Sequence, residues 1–568
     1  MPPAAWAALL GLSLGLRLWG LGWGIPAYDP AILGHTLDRP SYHLDEDKFL
    51  WPLAYMRWQA SDWDVRDYHW GTLQFYLIDG VLLLSSSVHL IPAPWELAFV
   101  GGDTAALPRI YLLGRLISVV AGVLTTVLVV ALGREVAGPA AGWAAGVAYA
   151  LAPLAVVEAH YLTSDVTMSA LVAGATLAAV RALGRGSPRL LALAGLLLGL
   201  AITAKYSAVF AAPGLLVASW SCWRAWRSAE TRRVPLVGCG NPQGSPCGLR
   251  KPTGFPLWVA EYGELYTAGG RLRAAFIWPG LALVGGVVLG EPAVLLMPGA
   301  VWQGLRSVAA SNAAPLPTLP VAAAGMLAQQ VPALAGLGLT WPLAGLACGG
   351  LGLFVRAAWV GRPHPTNGAP AGTARAPAAV LLVTAGGLLA GVAVNTYAML
   401  RYTQPLIPLL AVAAGVAWAA IPSRAVRGIL GVGAIAGASV ISGGQLALLA
   451  GPHPANALQA WVSTQVPPGR QIARAWLPYP MIDEARYRVI RLEPWRPALP
   501  PATEPDYIVA DDMMGAPAPE LTALLATRYH VVAQFAATPH LGPWSWAEGP
   551  TPHDWKYSHP SFVVYAHR

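Results

Sequence analysis

The sequence predicts an all-α polytopic membrane protein of about eleven transmembrane helices, followed by a small C-terminal extracytoplasmic α/β domain. Three observations predict it. The 568 residues are 55% hydrophobic and only 11% charged, where an ordinary soluble domain carries about 25% charged residues. Apolar runs of about 20 residues, long enough to cross a bilayer core, recur as far as Leu449. Beyond it the chain turns Pro-rich and mixed in charge, with strand-like runs such as Tyr507–Ala510 and Ser561–Tyr565.

In chain order the strongest runs are Ala4–Ile25, Ile110–Leu132, Ala140–Val157, Val166–Leu183, Leu190–Thr203, Ala208–Trp220, Phe276–Met297, Gly325–Val355, Ala378–Val394, Pro405–Ile421 and Gly428–Leu449. Ala4–Ile25 has no basic n-region and no small-residue cleavage site after it, so it is expected to stay as a first span. Gly71–Ile91 is ambiguous, because it holds Asp79, three serines and His89. The positive-inside rule arbitrates. If Gly71–Ile91 lies along the membrane and the N-terminus is cytoplasmic, the inner loops collect Arg134; Arg181, Arg185 and Arg189; eight basic residues between Arg224 and Arg273; Arg356, Arg362 and Arg375; and Arg424 and Arg427. The short outer loops then hold only Lys205, Arg306 and Arg401. A crossing at Gly71–Ile91 would invert the bias. The expected organisation is a membrane domain over 1–450, with a first outer loop at 26–108 and a Gly/Pro-rich cytoplasmic loop at 221–275, then an outer domain over 451–568. No internal repeat is evident.

Composition also excludes partners. The net charge of +8 comes from arginines scattered between apolar runs, not massed on one face, so nucleic acid is not expected. Of the 4 cysteines, Cys239 and Cys247 flank a Gly/Pro-rich stretch, but no histidine or second pair completes a zinc pattern.

This topology gathers polar residues at the outer face. Asp45 and Glu46, within Ser41–Lys48, open the first outer loop beside His43. His160 and Asp165 lie in the second loop with Glu158, Lys205 and Tyr206 in the third, Arg401 and Tyr402 in the last, and Arg115 about one turn inside the second span. Each alone fits a bland role: a histidine bonded to backbone, an arginine snorkelling to headgroups. Together they fit one chemistry. A carboxylate that takes a proton from a hydroxyl, beside cations that neutralise a phosphate leaving group, suits transfer from a lipid phosphate. Asp45 also has the hard oxygens that would bridge a divalent metal to phosphate, although nothing in the sequence requires one.

With those residues in view, the chain resembles a GT-C glycosyltransferase, of the bacterial polyprenyl-phosphate-sugar-dependent type related to protein O-mannosyltransferases and lipid A aminoarabinose transferases. The resemblance rests on Tyr42–Glu46 after the first span, Trp70–Leu77, Gly114–Ser118, Gly133-Arg134, the His160–Asp165 loop, Gly199–Tyr206, and Arg401-Tyr402 followed by Pro405 and Pro408. Leu44 and Gln74 stand where the family often carries Pro. The resemblance implies that Asp45 is the catalytic base or the metal and acceptor anchor, with Glu46 supporting it. It implies Arg401 and Lys205 as holders of the lipid-linked phosphate, and Arg115 is grouped with them as a third cation. His43, His160, Asp165, Tyr206 and Tyr402 are the expected substrate contacts. Direct displacement of polyprenyl phosphate with inversion is the expected reaction, at the outer side of the inner (plasma) membrane, onto a lipid, glycan or protein acceptor. The rival reading is a transporter or flippase of a lipid-linked substrate, which would place its charges near the midplane on broken helices. A third is a membrane scaffold with an outer binding domain.

Overall fold

The computed structural model describes residues 2–25, 41–56, 62–92, 106–231, 267–312, 318–360, 375–475, 482–492, 498–500, 503–513, 517–549 and 551–568. Cys239, Cys247 and most of the expected cytoplasmic loop lie outside the described residues.

Among these, eight helices are long and apolar enough to cross a membrane, and Pro3–Leu18, Leu73–Ser87 and Pro188–Ala204 are shorter apolar helices. The expected eleven does not follow from length and composition alone, and two places show why. Leu107–Leu151 is two helices joined at Ala137 and Gly138, where Gly138 takes a left-handed φ of 86° ahead of Pro139. These limbs are the expected runs Ile110–Leu132 and Ala140–Val157. They fold back on one another because Gly133 and Gly142 meet with no room for a side chain. The run Gly325–Val355, expected as one span, is instead broken at Thr340, whose φ is +82°, between Leu319–Leu339 and Trp341–Val360. Pro342, in the first turn of the next helix, has no N–H to bond back across the break, so that helix starts afresh.

That break does not change which end of the bundle follows. Thr396 N–H donates to Asn312 O at 2.9 Å, and the Arg375 Nε donates to Ala358 O at 2.7 Å. So 312 and 396 share one end, and 358 and 375 share the other. Gly338 meanwhile faces Leu154 and Ile407, near the first of these ends. The segment before Thr340 therefore finishes near the end that 312 and 396 share.

Arg181 pairs with Glu135 at 2.8 Å, so the 134–135 and 181–185 turns lie together. Asp45, Asp165, Lys205 and Arg401 meet elsewhere, through the ion pairs described below. The 15-residue helix Leu73–Ser87 is about 22 Å long, shorter than the roughly 30 Å hydrocarbon core. It packs Phe75, Ile78 and Leu82 with Phe49, Leu50, Ile110 and Tyr111, while Leu84 and Val88 stay exposed.

After the helix Arg424–Ala450 comes the helix Pro454–Gln465 and a small domain. Its strands are β1 (Gln471–Ala475), β2 (Arg488–Leu492), β3 (Tyr507–Asp511), β4 (Tyr529–Phe535), the short pair β5 (His540–Leu541) and β6 (Trp544–Ser545), and β7 (Phe562–His567). The main sheet runs β2-β1-β3-β7-β4, parallel across the first three strands and antiparallel at β7. The domain sits on the first loop: Tyr42 stacks on His453 with ring centres 4.3 Å apart and bonds Asn456.

Candidate active site

The first helix ends at Leu18 because three glycines follow, at 20, 22 and 24. Gly20, with φ +87°, lies too close to Leu449 for a side chain to fit without a shift. The chain then re-enters at Ser41–Leu50, which carries the acidic triplet.

Glu46 is fully buried and grips Arg115, which is equally buried. Arg115 Nε donates to Oε1 at 2.8 Å and Nη2 to Oε2 at 2.7 Å. Leu162 N–H donates to Oε1 at 2.7 Å, and the Ser41 hydroxyl adds a further bond. Arg115 Nη1 donates to Leu21 O and Trp23 O, both at 2.6 Å. Burial disfavours the Glu46 charge, yet Arg115 holds its carboxyl below the usual range. This corrects the reading of Arg115 as a phosphate ligand. Its guanidinium is fully buried, with Nε, Nη1 and Nη2 all bonded to Glu46, Leu21 and Trp23.

Asp45 sits one residue away with a different partner set. Arg401 Nη1 lies 2.5 Å from Oδ2, and the Lys48 ammonium bonds Oδ1. Burial works against its charge, but these two cations keep the carboxyl well below its ordinary value. His43 Nδ1 accepts from Asp45 N–H at 3.2 Å, and its ring packs on Tyr161 and Tyr557. Burial lowers the His43 pKa to about 4, so the ring is neutral.

A second pair lies alongside. Lys205 Nζ is 2.6 Å from Asp165 Oδ1 and 5.0 Å from the centre of the Tyr402 ring. Arg401 lies over the same ring at 5.9 Å, so Tyr402 joins the two pairs. Glu158 is buried close to Asp165, Arg401, Lys205 and Asp554; burial first, then Asp165, push its pKa well above the usual carboxylate range. Among the described residues its Oε2 has no hydrogen-bond partner, nor do the Gln404 amide and the hydroxyls of Thr163, Ser164 and Thr167.

The structure thus brings together Asp45, Arg401, Asp165, Lys205 and Tyr402. Arg401 and Lys205, with no acid near them in sequence, each pair with one that is remote along the chain. Two expected substrate contacts are also corrected. His160 places Nδ1 at 2.8 Å from Val156 O and Nε2 at 2.9 Å from Trp19 O, so it ties backbone to backbone. The Tyr206 hydroxyl donates to Glu291 Oε1 at 2.8 Å and lies within 3.4 Å of Tyr68 O and Trp70 O. Sequence reasoning missed Lys48, although its i,i+3 spacing from Asp45 was visible. It also missed Asp554, for which no sequence signal exists.

A divalent metal fits Asp45 poorly, since both carboxylate oxygens already face cations. Among the described residues no three His, Cys, Asp or Glu side chains gather to hold one. A cavity of about 350 Å³ opens between Trp19, Trp23, Tyr42, His453 and Asn456 and is not lined by the ion pairs.

Residues 112–239 match the family of dolichyl-phosphate-mannose-protein mannosyltransferases. The matched segment contains Arg115, Glu158, Asp165 and Lys205. No curated protein matches the sequence. Among solved structures, ArnT from Cupriavidus metallidurans bound to undecaprenyl phosphate is similar at 12% identity and a TM-score of 0.45, over 100% of this chain and 98% of that one. The oligosaccharyltransferase AglB from Archaeoglobus fulgidus, in complex with an inhibitory peptide and a dolichol-phosphate, is similar at 13% identity and a TM-score of 0.43, over 81% of this chain. This chain spans 58% of the AglB length. Both likenesses are weak.

Proposed function

We propose that this protein is a membrane glycosyltransferase that moves a sugar from a polyprenyl-phosphate donor to an acceptor hydroxyl, at the extracytoplasmic face of the inner membrane and with inversion. The observation that carries the reading is the pairing of Asp45 with Arg401 beside Asp165 with Lys205, at one end of a helical bundle. Transfer needs a base for the acceptor and cations for the departing phosphate, and these four residues supply both within one cluster. The arginine distribution supports placing that end outside, with the N-terminus cytoplasmic. A transporter would instead hold its charges at the midplane, whereas these sit in loops and 3-10 segments at helix ends.

Asp45 takes the proton from the acceptor hydroxyl as the oxygen attacks the anomeric carbon, and the polyprenyl phosphate leaves. Negative charge grows on that phosphate as the bond breaks, so a fixed cation beside it stabilises the transition state more than the bound donor. Held well below its ordinary pKa, Asp45 is a weak base. A donor phosphate beside Arg401 competes with Asp45 for the guanidinium, so Asp45 gains basicity as the donor is seated. Arg401 suits this sharing, because its planar fork can bind two anions at once.

The test is sugar release from a labelled polyprenyl-phosphate donor by the purified protein. Asp45→Asn should abolish transfer by roughly 10²–10⁴-fold while the protein remains folded, and Arg401→Lys should keep part of the activity. Near-normal turnover in Asp45→Asn removes Asp45 as the base; no sugar release from the native protein with any such donor sinks the reading.

A further inference from the structure

Asp554 belongs to the C-terminal domain, in the 3-10 turn His553–Ser558, and is buried. Its Oδ1 accepts from Leu400 N–H and its Oδ2 from Arg401 N–H, both at 2.9 Å. These are the first two amides of the 3-10 segment Leu400–Leu406, which leads into the helix Ile407–Ala420. Helix starts leave N–H groups unsatisfied and carry partial positive charge, so they need an acceptor. Met399, in the capping position, provides no side-chain bond. The cap arrives instead from a residue 153 positions away.

The turn that carries Asp554 is itself seated on the helix Arg424–Ala450. Gln445 Nε2 donates to Glu548 Oε1 at 3.0 Å. Glu548 also takes Trp555 Nε1 at 3.1 Å and lies 2.8 Å from His559 Nε2. The Ser558 hydroxyl donates to Gln445 Oε1 at 3.3 Å. The carboxylate is therefore fixed at its root, and two bonds to consecutive amides fix the peptide from which the Arg401 side chain departs. That side chain runs directly to Asp45.

We propose that Asp554 is a positioning residue that sets the Arg401 guanidinium between Asp45 and the donor phosphate, which makes the C-terminal domain an integral part of the donor site. The inference rests on Arg401 being the phosphate clamp. Asp554→Asn is nearly isosteric. It keeps one acceptor but turns an NH₂ group toward the other amide, losing a charge-assisted hydrogen bond worth about ten-fold.

The experiment is a double-mutant cycle on the purified full-length protein, with Asp554→Asn, Arg401→Lys and both together. It reads kcat and KM for the polyprenyl-phosphate sugar, with thermal unfolding alongside. Asp554→Asn should lower donor kcat/KM about ten-fold and leave the unfolding midpoint near that of the native protein. In the Arg401→Lys background it should cost under about two-fold, because residues that act through one another are not additive. Equal ten-fold losses in both backgrounds, or no loss, overturn the inference while the phosphate clamp stands. A silent Arg401→Lys overturns both. If Asp554→Asn does not fold, Gln445→Ala loosens the turn without touching the cap and must show the same non-additivity with Arg401→Lys; additive losses there overturn the inference equally.

Discussion

Glu46→Gln should cost stability before it costs chemistry. Glu46 receives two hydrogen bonds on Oε1 and two on Oε2, and two of the four come from Arg115. Gln keeps one acceptor oxygen and presents an NH₂ group where the other stood, so a donor meets the donors of Arg115 or Ser41. More importantly, it leaves the fully buried Arg115 charge without a counter-charge, facing the carbonyls of Leu21 and Trp23 and one amide oxygen. Breaking a buried ion pair by removing one partner costs about 3–5 kcal/mol. Replacing both partners with apolar residues of similar volume is often neutral, so Glu46→Met/Arg115→Met should recover part of the loss. The assay is the unfolding midpoint in detergent, with turnover counted per folded molecule. An unchanged midpoint in Glu46→Gln, with turnover per folded molecule lost, would refute the reasoning and move Glu46 into the chemistry.

Two further predictions concern acidity and orientation. His43 and His160 titrate near 4 in the folded protein because both are buried, whereas an unfolded chain takes up those protons near the ordinary value of about 6.5. Acidification through that window therefore favours unfolding: the midpoint should fall as pH drops from about 6.5 to 4, and a His160→Gln variant should fall less, so identical slopes would discount His160. For orientation, a cysteine placed at Glu520 should label with an impermeant thiol reagent in intact cells, and one at Arg185 only after permeabilisation; the reverse pattern places the ion-pair cluster in the cytoplasm.

Much of the fold could be read in advance because bilayer crossing is a one-dimensional property. Length and apolarity alone located the helices Asp165–Arg185, Pro188–Ala204, Arg375–Ala393 and Arg424–Ala450 within a few residues. The break at Thr340 escaped because Leu334–Val355 is apolar on both sides of it, and a left-handed threonine leaves no mark on hydropathy. The C-terminal sheet was visible only as isolated strand-like runs. Its order, with β7 inserted between β3 and β4, depends on pairings that no local pattern records.

The site shows the same limit in its chemistry. Arg115 and Arg401 look alike in the sequence: each is a lone arginine at one end of an apolar run, and each lies far from any acid along the chain. Folding separates them by partner. Arg115 meets Glu46 with no solvent and no open lone pair left over, so its charge holds the loop together. Arg401 meets Asp45 at the edge of a cluster that also contains Lys205, Asp165 and a Glu158 carboxyl without a cap on Oε2. An ion pair that shares its surroundings with unsatisfied polar groups can exchange partners when an anion arrives, and a sealed pair cannot. In the proposed mechanism the adjacent carboxylates Asp45 and Glu46 are thereby divided between chemistry and architecture by what lies across from them. Residue type and depth were available from the sequence, but the opposing partner, which decides the role, exists only in the folded chain.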